Sequence, residues 1–226
     1  MKYSWINQKN NSRLLVFFNG WGMDEKPFRH LVAGELDVLM FYDYTEPEMP
    51  LDLNVVCAGY KQVLLVAWSL GVWAAAEAAD GNGWRFEDAV AINGTLRPID
   101  EICGIAPAVF QGTIDSWSEI GRKKFNRRMC ASPENLAFFN EHHPERTVES
   151  QHQELVALQN RILNHKLSGK KLFTRAVTGT DDRIFLATAQ VAAWREEKLE
   201  VINIAAAHYP FAGLNSWREA IEIGQA

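Results

Sequence analysis

Residue types able to pass a proton among themselves stand at the ends of three separate apolar runs of this chain. In VAWSLGVWAAAEA, residues 66–78, a β-branched run meets a small-residue helical run at Ser69, with Ala67 and Gly71 two positions to either side. A serine hydroxyl attacks a carbonyl carbon only when a base takes its proton, a third group orients that base, and donors receive the oxyanion. The base candidate is His208, directly after LEVINIAAA. The acid candidates are Asp181 and Asp182, in TGTDDRIF at the end of KLFTRAVTG. Singly, each has an ordinary explanation: a helix-capping serine, a turn-forming Asp pair, a structural histidine. Jointly they run Ser, acid, His, with the acid and the histidine behind two successive later runs, which is the chain order of serine hydrolases built on a parallel sheet.

A fourth part is FFNGWGMD, residues 17–24, at the end of the first apolar run. Two glycines let the backbone turn so that the N–H of Trp21 points into a pocket, beside the N–H of Leu70, the residue after the nucleophile. Read alone, this stretch is an ordinary glycine-rich turn. The flanks of Ser69 are small for a physical reason: strand and helix backbones approach closely at such an elbow, and Ala67 meets that need while departing from a strict glycine-x-serine-x-glycine pattern.

Six runs supply the elements that must position these groups: RLLVFFN (13–19), DVLMFYDY (37–44), QVLLVAW (62–68), DAVAIN (88–93), KLFTRAVTG (171–179) and LEVINIAAA (199–207). Each reads as a buried parallel strand. Helical patterns lie between most of them: KPFRHLVAGEL, the segment after Ser69, RIFLATAQVAAWREE, and LNSWREAIEIGQ at the end. Strand alternating with helix predicts a doubly wound, mainly parallel sheet. Nearly eighty residues separate the fourth run from the fifth. Much of that stretch, about 110–165, reads as helix broken at ASPEN and EHHPER, so an insertion over the carboxyl edge of the sheet is expected.

The chain has 226 residues, 47% of them hydrophobic, which suits one α/β domain rather than two equal ones. Its formal net charge of -5 argues against a general nucleic-acid binder. Cys57, Cys103 and Cys130 are odd in number and widely spaced, which predicts reduced thiols rather than a disulfide framework or a zinc site. The N-terminal MKYSWINQKNNSR lacks an apolar signal core and no apolar run approaches a membrane span, so a cytoplasmic enzyme without membrane contact is expected.

Other polar candidates have less to offer. His142, His143 and His152 lack the carboxylate spacing of a metal motif and read as a solvated helix surface, so neither metal nor cofactor is expected. His30 and His165 have no partner that the sequence identifies. Asp43 and Asp100 are substitute triad acids on the wrong strands for the usual order. IGRKKFNRRM, residues 120–129, gathers Arg122, Lys123, Lys124, Arg127 and Arg128 on an otherwise acidic chain. Such a run is either a solvated helix face or a contact for an acidic partner.

Assembled, these motifs resemble the α/β-hydrolase superfamily and, within it, the BioG family of biotin-synthesis esterases. NGWGMD, AWSLGVW, AINGTLRPID, GIAPAVFQGT, KFNRRMC, DDRIF and AHYPF carry the resemblance across most of the chain. It implies one α/β-hydrolase domain over 1–226 with a helical cap at about 110–165. It also implies hydrolysis of the methyl ester of pimeloyl-[acyl-carrier protein]; a monomer without cofactor is expected. Carried over by position, Ser69 is the nucleophile, His208 the base and Asp182 the acid, since DRIF matches the family's aspartate turn from the second Asp. Trp21 and Leu70 become oxyanion donors, and Arg122, Lys123, Lys124, Arg127 and Arg128 contacts for the acidic carrier protein. Asn19 departs from the histidine that many such hydrolases place before Gly-Trp-Gly, and Leu186 from a proline common after RIF. The alternatives are a generalist carboxylesterase acting on small free esters and a hydrolase-like scaffold that binds without turnover.

Overall fold

The computed structural model describes residues 1–169 and 171–225. Seven strands form one sheet: β1 (Lys2–Asn7), β2 (Arg13–Phe18), β3 (Leu36–Tyr42), β4 (Gln62–Trp68), β5 (Asp88–Ile92), β6 (Arg175–Gly179) and β7 (Val201–Ile204). Their spatial order is β1-β3-β2-β4-β5-β6-β7, all neighbours parallel except the antiparallel β1–β3 pair. Four of the six predicted runs yield strands close to their expected bounds. The last two are shorter: β6 begins only at Arg175, and β7 stops at Ile204, so Ala205, Ala206 and Ala207 form a loop that carries His208 off the sheet edge.

β1 has no counterpart in the sequence reading, where its residues passed for a polar leader. It is an edge strand with its first residues exposed, so it lacks the apolar run that marks the buried strands. KPFRHLVAGEL also departs from expectation. It forms only the 3-10 turn Lys26–Phe28 before the chain continues irregularly into β3. The cause is where its backbone groups go: the N–H of Val32 donates to the carbonyl of Asn215, and the carbonyl of Val32 accepts from Trp217 N–H. Those bonds replace helical ones and sew the segment to the C-terminal end, while Phe28 packs edge-on against Phe17 and Phe211.

The remaining helices are α1 (Leu53–Cys57), α2 (Leu70–Ala79), α3 (Pro107–Asp115), α4 (Glu119–Cys130), α5 (Pro133–Glu141), α6 (Val148–Asn164), α7 (Ala187–Glu196) and α8 (Trp217–Ile221). Helices α3 to α6 occupy the long interval between β5 and β6, broken at residues 131–132 and 142–147 where the polar segments stand. Ser118, Ser132 and Thr147 cap α4, α5 and α6 by accepting backbone N–H bonds, which is why those helices start there. Cys103 and Cys130 are buried and Cys57 is half-buried, all as free thiols.

Candidate active site

Strand β4 delivers Ser69 to a sharp turn. Its backbone lies at φ 59, ψ -130, outside the regions favoured by side-chain-bearing residues, and α2 starts at the next residue. The main chains here are too close for a methyl group at position 71, which would overlap the carbonyl oxygens of Asn19 and Phe18. Ala67 sits in register between Phe18 and Ala91 on the neighbouring strands, the crowding anticipated for that flank.

The three chemical groups meet at this elbow. His208 Nε2 lies 2.9 Å from Ser69 Oγ, and His208 Nδ1 lies 2.8 Å from Asp182 Oδ2. All three residues are buried. Asp182 is held from behind. Its Oδ1 accepts the N–H bonds of Ile184 (2.7 Å) and Phe185 (2.9 Å), and its Oδ2 accepts one from Gln190 Nε2 at 3.1 Å. Asp181 is exposed and makes no bond to His208. The substitute acids are committed elsewhere, Asp43 to Lys2 and Arg146, and Asp100 to the amides of Ile102 and Cys103.

The histidine loop is fixed through its backbone. Trp68 Nε1 donates to the His208 carbonyl at 2.7 Å, and Asn93 Nδ2 donates to the carbonyls of Ala207 and His208. Asn93 Oδ1 also accepts from Gly179 N–H at 2.7 Å, so one side chain ties the acid turn to the histidine loop. Phe185 stacks on the imidazole at 13°. Asn93, Gln190 and Trp68 escaped the sequence reading as site residues. Asn93 lay inside the AINGT motif, which was the available signal.

The loop 19–23 turns next to Ser69, and its Trp21 and Met23 line the same cleft. Asn19 Oδ1 takes the N–H of Gly20 and Glu154 Oε2 takes that of Gly22, while the intervening Trp21 N–H has no partner among the described residues. The N–H of Leu70, first in α2, also has none among them. Asn19, standing where many hydrolases carry histidine, therefore serves to shape this turn. Gly22 adopts φ +76, a conformation costly for other residues.

Ser69 and His208 open into a narrow cleft whose walls are mostly apolar: Met23 and Leu70, with Val109, Phe110, Phe125 and Leu155 from the helices between β5 and β6. Arg128 is the one cation among its described lining residues. The other basic residues of α4 divide. Arg122 is turned inward to Glu119 and the Arg146 carbonyl, whereas Lys123, Lys124 and Arg127 are exposed and have no ion-pair partner among the described residues. Of the three histidines weighed for a metal, His142 stacks on Phe138, His143 packs edge-on near Phe139, and His152 lies on α6.

Comparison with known proteins decides the family. A family model described as pimeloyl-ACP methyl esterase BioG matches residues 1–220. The chain belongs to the BioG family. BioG from Haemophilus influenzae, in its crystal structure, superposes with a TM-score of 0.87 at 32% identity, covering 98% of this chain and all (100%) of that one. A malonyl-[acyl-carrier protein] O-methyltransferase of Bacteroides fragilis is 37% identical over 195 residues, 86% of this chain. This chain spans only 39% of that protein's length. An α/β-hydrolase fold protein of Burkholderia ambifaria, at 12% identity, TM-score 0.61 and coverage of 97% and 91%, shares the fold alone. The chain thus combines membership of an esterase family with the α/β-hydrolase fold. Among its described residues no helix is long and apolar enough to cross a membrane.

Proposed function

We propose that this chain removes the methyl group from the distal ester of a pimeloyl chain carried on acyl-carrier protein, with Ser69, His208 and Asp182 as its triad. The observation that carries this reading is the continuous hydrogen-bonded path from Asp182 through His208 to Ser69 Oγ, ending in an apolar cleft. His208 accepts the hydroxyl proton as Oγ adds to the ester carbonyl, and Asp182 holds the imidazole in the tautomer that makes Nε2 the acceptor. The oxyanion forms beside the N–H groups of Trp21 and Leu70. Collapse breaks the bond to the methoxy oxygen, which leaves as methanol with the proton from His208. Water, deprotonated in turn by His208, then cleaves the acyl-enzyme and leaves the free carboxylate.

The cleft suits an aliphatic chain: its apolar walls stabilise methylene groups by removing them from water. Lys123, Lys124 and Arg127 present free positive charge on α4, a surface suited to an acidic carrier protein whose approach charge complementarity accelerates.

Two measurements test the reading. Ser69→Ala is expected to remain folded, lose ester hydrolysis by on the order of a millionfold, and no longer react with a serine-directed fluorophosphonate. Wild-type enzyme is expected to hydrolyse the carrier-linked methyl ester with a much higher kcat/KM than the free methyl ester. Labelling that survives in Ser69→Ala would assign the nucleophile elsewhere, and equal rates on the two esters would favour a generalist carboxylesterase.

A further inference from the structure

Helix α6 buries Gln151, Glu154, Leu155 and Leu158, a stripe at the spacing of one helical face. Two of the four are polar, and both reach the loop beside Ser69. Glu154 Oε2 accepts the Gly22 N–H at 3.1 Å and its Oε1 accepts the Tyr44 N–H at 3.0 Å. Gln151 Nε2 donates to the Gly22 carbonyl at 2.9 Å, and the Gln151 carbonyl accepts from Trp21 Nε1 at 2.7 Å. Arg146, just before the helix, lies 3.1 Å from Glu154 and 3.2 Å from Asp43, and also donates to the Met23 carbonyl. The peptide whose N–H is read as the oxyanion donor is therefore anchored on both sides. Asn19 holds the amide before it, and a carboxylate from a helix more than a hundred residues away holds the amide after it.

We propose that Glu154 is a positioning residue for ester hydrolysis: by fixing the Gly22 amide from α6, it aims the neighbouring Trp21 N–H at the developing oxyanion. This rests on the reading of Trp21 N–H as an oxyanion donor given above. The charge state matters because an ionised carboxylate offers acceptor lone pairs to both amides, while a protonated one turns one oxygen into a donor. Burial pushes the Glu154 carboxyl up to about 7, against the opposing pull of Arg146 and of the two amides. The charged groups around it are Arg146 and Asp43, with Arg161 one peptide away on the Tyr44 carbonyl. A carboxylate kept in such surroundings, where an apolar residue would pack without that cost, is explained by the two backbone amides it satisfies.

Glu154→Gln retains the shape but leaves an NH2 group facing one of the two amides. Compared on a small methyl ester, kcat is expected to fall by about 10- to 100-fold, part of the loss seen when an oxyanion donor is removed, with KM nearly unchanged. The specific readout is a thionoester analogue, whose sulfur accepts hydrogen bonds poorly. Wild type should discriminate strongly between ester and thionoester, and Glu154→Gln should discriminate less, because its donor is already misaligned. A purely structural role would lower the melting temperature without changing that ratio. A second measurement needs no variant: the wild-type backbone amide resonances of Gly22 and Tyr44 should titrate together near neutrality. Ser69→Ala, run in parallel, separates the two levels: if it still turns over ester, the underlying site assignment falls. If Ser69→Ala is dead but Glu154→Gln keeps the wild-type kcat and ratio, or if the two amides do not titrate together, the positioning role is refuted while the triad stands.

Discussion

Replacing Asp182 with asparagine isolates the orienting acid with little change in volume. In wild type, Asp182 accepts four hydrogen bonds, two backbone N–H groups on Oδ1, and His208 Nδ1 with Gln190 Nε2 on Oδ2. Asparagine has one acceptor oxygen. If that oxygen keeps the Ile184 and Phe185 amides, its NH2 group faces His208 Nδ1 and the Gln190 donor. The reversed orientation opposes NH2 to two main-chain N–H groups, which is worse because it leaves two buried donors unsatisfied. The first orientation wins, and it makes Nδ1 an acceptor. The proton then resides on Nε2, which can no longer take the proton of Ser69 Oγ at 2.9 Å. The expected loss in kcat is about 10⁴-fold, equivalent to roughly 5.5 kcal/mol of transition-state stabilisation, with KM for a small ester little changed. Asp181→Asn, at an exposed residue that makes no bond to the imidazole, is expected to stay within about twofold, as surface substitutions usually do. Steady-state hydrolysis of a small ester measures both, with thermal denaturation to verify folding. Retention of more than a tenth of wild-type kcat by a folded Asp182→Asn, or a large loss in Asp181→Asn, would refute the assignment.

Replacing Lys123, Lys124 and Arg127 with Glu should raise KM for the carrier-linked ester and leave small-ester turnover unchanged; equal loss on both substrates would make the face structural. For the same reason, wild-type kcat/KM on the carrier-linked ester should drop from low to high salt while the neutral small ester changes little, since screening acts on the charged encounter. Gly71→Ala places a methyl against the Asn19 and Phe18 carbonyls and should destabilise by on the order of 1–3 kcal/mol, read as a lower melting temperature. Finally, the raised Glu154 carboxyl sets a sign for stability. The folded protein binds this proton up to about 7 while the unfolded chain releases it near the model-peptide value of 4.5, so this group's contribution is present at low pH and is lost as pH rises through 7. Denaturant unfolding should show that fall, on the order of 3 kcal/mol if the full shift is expressed, and Glu154→Gln should flatten it.

What was legible in the sequence is what short segments encode by themselves. Strands β2 to β5 announce themselves as apolar runs because both faces of the sheet are covered, and the acid and histidine follow β6 and β7 in the order that a parallel sheet imposes. The Asp181–Asp182 pair and His208 are marked because each stands within a few residues of a strand end, and the choice of Asp182 within the pair comes from the DRIF match to the family's turn. The segment after β2 misled because Phe28, Leu31 and Leu36 have helical spacing, yet their burial is met by the C-terminal strap rather than by a helix. β1 was missed because an edge strand needs only one partner and no continuous apolar run.

The oxyanion side of the site was half legible, and the division has a physical cause. NGWG shows that the backbone turns there, since Gly22 needs its positive φ, but it does not say where Trp21 N–H will point. That direction depends on acceptors far along the chain: the Gly22–Glu154 bond spans 132 residues, Trp21–Gln151 spans 130, and Tyr44–Glu154 spans 110. The only local trace lies in VESQHQELVALQNRILN, where Gln151 and Glu154 take up places in a stripe that Leu155 and Leu158 continue. A buried stripe that spends two positions on polar side chains loses apolar contact there, and needs partners elsewhere to offset it. The loop beside Ser69 supplies them. The helices between β5 and β6 thus do more than wall the cleft: one of them carries the acceptors that hold the Trp21–Gly22 turn beside Ser69. A hydrolase of this family that exchanged α6 for a helix of equal hydrophobicity but without those two side chains should keep its triad distances and lose rate at the oxyanion.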